Sequence, residues 1–377
     1  MSTHVVILGA GFGGLELSSR LDEELGDQVR VTLIDQSESF VFGFSKLEVM
    51  FGRQRLDQVQ IHYRGIAKAS VDFRQETVVS IDPTSRHVVT DQATYDADIL
   101  VVALGADLDP AATPGLLEGG YEFYSPAGAV RVSEVLPTFE SGVAVISVLG
   151  PFFKCPPAPF EAAFLLHDFL VRRGVRDATA IYLLSSLGSP IPVSEVTSAA
   201  IISMLAEKGI EFWPSSVVER LDPVARVAHL ADGRQLNYDL FLGIPVHRAP
   251  PVVVESGLTE DGWIPVDPAT FATRFPDVFA VGDITSAPVP RAGIIAEGEA
   301  RTVADVIVSR LTEGRSPAPY EGQAICYIEM GPEGVGRVDV EFLAGAAPSP
   351  RYSPPSEALA AEKREFGSSR RKRWFGQ

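Results

Sequence analysis

Only two residues in this 377-residue chain carry a thiol, Cys155 and Cys326. So sparse a pair builds no disulfide framework; in a reducing compartment such residues are inert, metal-binding or catalytic. Neither has ligand spacing around it and the six histidines are scattered, so no metal site is expected. Cys155 sits in Phe152-Phe153-Lys154-Cys155-Pro156-Pro157-Ala158-Pro159-Phe160-Glu161, ahead of an apolar stretch in which Phe160, Ala163, Leu166 and Leu170 recur at helical spacing. Pro156, Pro157 and Pro159 suit a first helical turn, where a missing N–H costs nothing. Cys155 is therefore expected at or just before a helix N-terminus, where the dipole and the adjacent Lys154 favour the thiolate. Glu161, on the same helix, is a candidate acid/base that helical geometry could carry back toward the sulfur. The plain alternatives are a small buried apolar cysteine and a first-turn carboxylate favoured by the helix dipole.

The elements that must position these groups begin at the N-terminus. An apolar run, Val5-Val6-Ile7-Leu8, leads into Gly9-x-Gly11-x-x-Gly14; a helical pattern follows through Leu15, Leu17 and Leu21, and a second strand from Val29 ends at Asp35. Gly9 permits the tight turn, Gly11 lets the backbone approach a pyrophosphate, and Gly14 lets the helix pack closely on the strand. The helix N-terminus faces the anion, and Asp35, about 20 residues on, can accept hydrogen bonds from a ribose. Strand, glycine loop, helix and terminal acid together read as a dinucleotide-binding unit.

The pattern repeats, with a change. Val143 to Leu149 is a strand, Gly150 follows, then a helix, then a strand from Ala180 to Leu184. Here Gly150 is followed by Pro151-Phe152-Phe153-Lys154, which would crowd a pyrophosphate and remove a donor amide. The second strand runs into Ser185-Ser186, with no acid for a ribose and no nearby arginine for a 2′-phosphate. The second unit is expected to keep the fold and to lack the nucleotide, with Cys155 in the vacated position.

Composition narrows the partners. The chain is 46% hydrophobic and 21% charged, a globular balance, and its net charge of −17 argues against nucleic acid. No apolar run approaches the length of a membrane span. The first strand starts almost at the first methionine, leaving no room for a signal peptide, so a cytoplasmic location is expected. At the C-terminus Arg370, Arg371, Lys372 and Arg373 precede Trp374 and Phe375. This segment is a candidate peripheral contact with the inner membrane face, or a solvated tail.

Two further segments resemble the flavin-side motifs of two-dinucleotide-binding-domain flavoproteins: Ile99 to Ala103 followed by Leu104-Gly105-Ala106, and Val278-Phe279-Ala280-Val281-Gly282-Asp283. The resemblance implies FAD as cofactor, held at Ala103, Gly105, Gly282 and Asp283, with the helix that begins at Gly293 and Ile294 pointing its N-terminus at the flavin. Lys154-Cys155-Pro156-Pro157-Ala158-Pro159-Phe160-Glu161 and the segment around Cys326-Tyr327-Ile328-Glu329 resemble the cysteine segments of flavocytochrome c sulfide dehydrogenase flavoprotein subunits and related sulfide:quinone oxidoreductases. That resemblance implies a redox disulfide between Cys155 and Cys326. Sulfide, or another small sulfur nucleophile, would open it, and FAD would pass the electrons to quinone or a separate cytochrome.

The fold class implied is α/β: two Rossmann-like FAD/NAD(P)-binding domains, the second without nucleotide, plus a small C-terminal region. The divisions expected are 1–110 and 262–320 for the FAD domain, 111–261 for the inserted domain, and 321–377 for the region with Cys326. The sequence departs from the family in lacking a third cysteine, a haem-attachment Cys-x-x-Cys-His and an export signal. Two other readings stay open: an NAD(P)H-dependent flavoprotein of the type II NADH dehydrogenase or ferredoxin reductase type, and a flavin-bearing binding protein with little turnover.

Overall fold

The computed structural model describes residues 2–66, 68–312, 315–342 and 346–377. The first unit runs through strand β1 (Thr3–Leu8), helix α1 (Phe12–Leu25), β2 (Val29–Asp35), β3 (Val71–Gln75) and β4 (Ile99–Val102). The second runs through β5 (Gly142–Val148), α2 (Ala158–Arg172), β6 (Thr179–Leu184), α3 (Glu195–Glu207), β7 (Ile210–Trp213) and β8 (Leu240–Ile244). The chain then returns to the first unit with β9 (Val278–Ala280) and α4 (Gly293–Leu311). It closes with β10 (Gln323–Glu329), β11 (Val335–Glu341), β12 (Ser349–Ser356) and α5 (Glu357–Phe375).

Each nucleotide-type unit is built on a parallel sheet. The first has the order β9-β4-β1-β2-β3. The second has a two-residue edge strand, Tyr121–Glu122, and then β8-β5-β6-β7. The apolar runs have this fate because strands covered on both faces need no polar alternation: Ile99 to Val102 and Leu240 to Ile244 are buried at every position. Helix α2 buries Phe160, Ala163, Leu166 and Leu170, the face its spacing predicts.

Between the units the chain crosses on a ribbon in which Asp107–Asp109 pairs antiparallel with Val246–Arg248. Just beyond it, Ala249, Val253 and Leu258 already pack in the core with Val6, Leu8 and Val278 of the first sheet. The return therefore comes ahead of the boundary at 261 expected from the sequence. The ribbon brings the chain back at Arg248, and the apolar residues after it are buried at once.

The C-terminal region is an antiparallel sheet, β10-β11-β12, followed by α5. Its last turn corrects the expectation of a solvated or membrane-facing tail. Trp374 is 0% exposed and Phe375 3%. The indole meets Phe12, Phe40 and Phe42 of the first unit, and its Nε1–H donates to Glu16 at 3.0 Å. Arg373 and Arg301 donate to the same buried carboxylate, while Arg370 and Arg301 pair with Glu297. The aromatics follow their apolar area inward. The arginines beside them neutralise two acids that burial on α1 and α4 would otherwise leave unpaired.

Trp374→Ala should therefore lower the stability of the first unit by about 3–5 kcal/mol, read as a shift of the denaturation midpoint. It should also reduce retained FAD, because Phe12 lies between the indole and the glycine loop. Unchanged stability and full FAD content would show that the tail is not part of the fold.

Candidate active site

A cavity of about 670 Å³ opens where the first glycine loop, the start of α4 and the Cys155 loop meet. Gly9, Gly11 and Asp35 line it from the first βαβ unit, and Ala103 and Gly105 from the end of β4. Gly282, Asp283 and Gly293 line it from the returning segment, and Cys155 and Glu161 from the second unit. Gly14 stands behind the wall: a Cβ there would fall 1.9 Å from the Gly9 carbonyl oxygen, so only glycine lets α1 approach β1. Ile294 is also outside and lines a second cavity of about 540 Å³ beside Arg20 and Tyr320.

The residues of the first unit fit a dinucleotide. Gly9 has φ +98°, and a Cβ on it would lie 2.3 Å from the Ala103 oxygen, so the turn requires glycine. A Cβ on Gly11 would meet nothing within 4 Å, which leaves the loop open for a ligand's close approach. Helix α1 starts without a side-chain cap, so its first-turn amides are available to an anion. Asp35 accepts from the Ala10 amide at 2.7 Å and the Ser37 amide at 2.8 Å, which fixes its carboxylate at the end of β2. The Asp283 carboxylate takes no hydrogen bond from the described residues, and burial pushes its pKa up. Helix α4 starts uncapped at Gly293, where a Cβ would fall 2.6 Å from the Phe12 ring. Sequence reading missed Glu299, whose buried carboxylate accepts from the Gly282 amide and whose pKa burial raises to about 8.

The second unit presents a different helix start. Cys155 has φ +57°, its N–H donates to the Arg291 carbonyl at 2.8 Å, and its own carbonyl accepts from the Ala158 amide at 2.9 Å. The Phe160 and Glu161 amides both donate to the Pro157 carbonyl, at 3.0 and 3.1 Å. Pro156, Pro157 and Pro159 have no N–H to offer. From Cys155 to Glu161 every amide that exists is thus engaged within the protein, and none remains for a pyrophosphate. Across the strand ends, Ser186 Oγ donates to the Gly150 carbonyl at 2.8 Å, where a nucleotide-binding unit would carry its ribose acid. Phe152 and Trp263 flank the Arg291 guanidinium, 5.0 and 3.9 Å from their ring centroids.

Both cysteines are free thiols, and both pack against one apolar cluster. Cys155 faces the cavity; Cys326, in β10, lies off its wall. Burial pushes the Cys155 thiol well above its usual range, and Glu161 and Cys326 push it further. Lys363 and the Ala158 amide pull it down. Burial and then Glu161 raise Cys326 to about 12. Lys154 does not take the role expected of it beside the sulfur. Its ammonium reaches instead to the Ala106 carbonyl at 2.7 Å, while the cation that most lowers Cys155 is Lys363.

Glu161 is 2% exposed and accepts from the Glu329 amide at 3.0 Å and from Lys363 Nζ at 3.4 Å. Burial raises its own pKa despite that cation. Lys363 also meets Glu329 at 3.0 Å, and Glu329 pairs onward with Arg53. Lys363 left no signal in the sequence, because one lysine in a highly charged helix looks like any solvated residue. Lys46, whose ammonium reaches the Tyr124 carbonyl, was equally unmarked. Tyr124 Oη in turn donates to the Lys154 carbonyl at 3.1 Å and so braces the cysteine loop.

Comparison with known proteins gives a consistent picture. The family model of pyridine nucleotide-disulphide oxidoreductases matches residues 3–147 and 160–303. The chain is 23% identical over 354 residues to the mitochondrial sulfide:quinone oxidoreductase of Mus musculus, spanning 90% of this chain and 78% of that one. It is 24% identical over 377 residues to the type II NADH:quinone oxidoreductase of Staphylococcus aureus, spanning 90% and 91%. Its fold superposes on the sulfide:quinone oxidoreductase of Aquifex aeolicus with a TM-score of 0.88 at 21% identity, covering 98% of this chain and 90% of that one. The chain belongs to the pyridine nucleotide-disulphide oxidoreductase family, among the two-dinucleotide-fold FAD oxidoreductases that resemble sulfide:quinone oxidoreductase.

Proposed function

We propose that the chain oxidises a small sulfur nucleophile, sulfide by preference, through a Cys155–Cys326 dithiol/disulfide pair and FAD. Quinone or a separate cytochrome takes the electrons. The observation that carries this reading is the closed start of α2: the place where a second nucleotide would need free amides presents a thiol to the FAD cavity instead. The names of the mouse and Aquifex relatives point the same way.

In the oxidised protein, hydrosulfide attacks one sulfur of the disulfide. A sulfur–sulfur bond forms, leaving a persulfide on one cysteine and a thiolate on the other. A second hydrosulfide takes the outer sulfur of the persulfide as hydrodisulfide and frees the cysteine that carried it; closure of the two cysteine thiolates to the disulfide then gives up two electrons, for which bound FAD would supply the acceptor. Gly9, Gly11, Asp35, Ala103, Gly105, Gly282, Asp283 and the α4 start at Gly293 would hold that cofactor. Glu161 is suited to holding a proton beside the sulfurs, since burial keeps its pKa above the usual carboxylate range and its charge acts on both thiols. Lys363 balances that charge and favours the Cys155 thiolate.

Anaerobic titration of the flavin spectrum with sulfide and, separately, with NADH decides between this reading and the pyridine-nucleotide one. Sulfide should bleach the flavin and NADH should leave it oxidised; the reverse would overturn the proposal, and no response to either would favour a binding protein. Cys155→Ser and Cys326→Ser should each slow reduction by sulfide by about 10³-fold or more, and parent rates in both would remove the disulfide from the mechanism.

Glu161→Gln deletes a negative charge that raises both thiols. The pH midpoint for their alkylation should therefore fall, whereas a burial-only origin of the shift leaves it where it was. The same substitution should slow the sulfur step by about 10²-fold, measured as the rate of flavin reduction at saturating sulfide.

A further inference from the structure

Cys155 keeps a left-handed backbone, φ +57°, which a residue with a Cβ holds only where its surroundings over-determine it. The peptide group before it is fixed at both polar atoms. Its carbonyl, on Lys154, accepts from Tyr124 Oη at 3.1 Å, and its N–H, on Cys155, donates to the Arg291 carbonyl at 2.8 Å. Tyr124 belongs to the second unit, just after the edge strand Tyr121–Glu122. Arg291 belongs to the chain that has returned to the first unit, two residues ahead of Gly293 at the start of α4. The sulfur-bearing loop is thus held from both units at one peptide group.

Residues 286–292 form no helix or strand, so no ladder fixes the Arg291 carbonyl. The Arg291 side chain anchors it instead. Its Nε–H donates to the Asp283 carbonyl at 3.0 Å. Its guanidinium lies 5.0 Å from the ring centroid of Phe152, in the cysteine loop, and 3.9 Å from that of Trp263, in the first unit. Asp283 lines the FAD cavity, whereas Arg291, Phe152 and Trp263 stand outside its lining. Among the described residues the guanidinium forms no ion pair. A half-buried guanidinium with no carboxylate partner takes its hold from its planar faces and its one directed bond.

We propose that Arg291 is the positioning residue of Cys155: its planar group, gripped between Phe152 and Trp263 and bonded to the Asp283 carbonyl, fixes the carbonyl that holds the Cys155 amide and so ties the sulfur-bearing loop to the cofactor turn. Shape and donor direction do this, not charge. The catalytic consequence rests on the sulfur reading above, because a sulfur and a flavin react only at a set placement. The hold on Cys155 does not rest on it.

The test reads each thiol in FAD-loaded, thiol-reduced protein kept anaerobic, as the rate of iodoacetamide labelling at Cys155 and at Cys326, resolved by mass spectrometry of the peptides. Arg291→Met should raise labelling of Cys155 about tenfold or more through opening of its loop, and leave Cys326 at the parent rate. Arg291→Lys should do the same, because it keeps the charge and loses the plane and the Nε–H. Phe152→Ala, a change at a ring that is 54% exposed, should raise labelling of Cys155 about threefold. Melting temperature and FAD content identify a variant that loses its fold, and if Arg291→Met does so, Phe152→Ala decides. Parent-rate labelling of Cys155 in any of the three folded variants overturns the proposal, as does an equal rise at Cys326, which marks general loosening. In flavin reduction by sulfide, Arg291→Lys should lower the saturating rate about tenfold and leave the half-saturating concentration unchanged; a parent rate overturns the positioning role. Failure of the sulfur reading looks different: sulfide then leaves the parent flavin oxidised, while protection of Cys155 still follows Arg291.

Discussion

A helix N-terminus has a few amides that the helix itself cannot satisfy, and what they are given to decides what the helix end can do. In this protein the two Rossmann-like units make opposite use of that constraint. Helix α1 leaves its first turn uncapped behind Gly9 and Gly11, and so keeps an anion site. Helix α2 hands its first-turn amides to the Cys155 and Pro157 carbonyls and replaces the others with proline. One strand order and one crossover thus produce a nucleotide cradle in the first unit and a thiol mount in the second. The arrangement of the site follows from this asymmetry, because the mount on the second unit opens onto the cradle of the first.

Helix α5 ties the two together. Toward its C-terminal end, Arg370, Arg373 and Trp374 satisfy Glu297 and Glu16 and fill the space against Phe12, whose ring lies against Gly293 at the start of α4. Toward its N-terminal end, Lys363 meets Glu161 and Glu329 beside the cysteines. A single helix therefore supplies both the packing under the cofactor loop and a cation that acts on Cys155. Sheet β10-β11-β12, which carries Cys326, precedes that helix directly, so the second cysteine and the lysine arrive as one structural piece.

Much of this was legible in the sequence, for reasons that are physical. Gly9 and Gly14 sit where any Cβ would collide, so their spacing reveals them, whereas Gly293, equally confined, was marked only by a family resemblance. The strands from Val5, Ile99 and Val143 show because buried parallel strands must be apolar throughout. The prolines around Cys155 announced a helix start, and the missing glycines set the second unit apart from the first. What stayed hidden was the direction in which long side chains point. Lys154 lies next to Cys155 in the chain yet reaches away to Ala106, whereas Lys363, distant in sequence, acts on the sulfur. The basic tail misled for a related reason: Arg370 and Arg373 look solvated until Glu16 and Glu297 are known to be buried.

Cys155 occupies a left-handed backbone conformation that costs a residue with a side chain about 1–2 kcal/mol relative to glycine. Its thiol is desolvated and its backbone strained, so by both measures the sulfur is a burden on the fold that carries it. A glycine at 155 would sit more easily. It would not restore a nucleotide site, because the obstacle lies in the prolines and in the carbonyls that have taken the remaining amides. One substitution would thus remove the sulfur, whereas building a pyrophosphate cradle in this place would require rebuilding the whole first turn of α2.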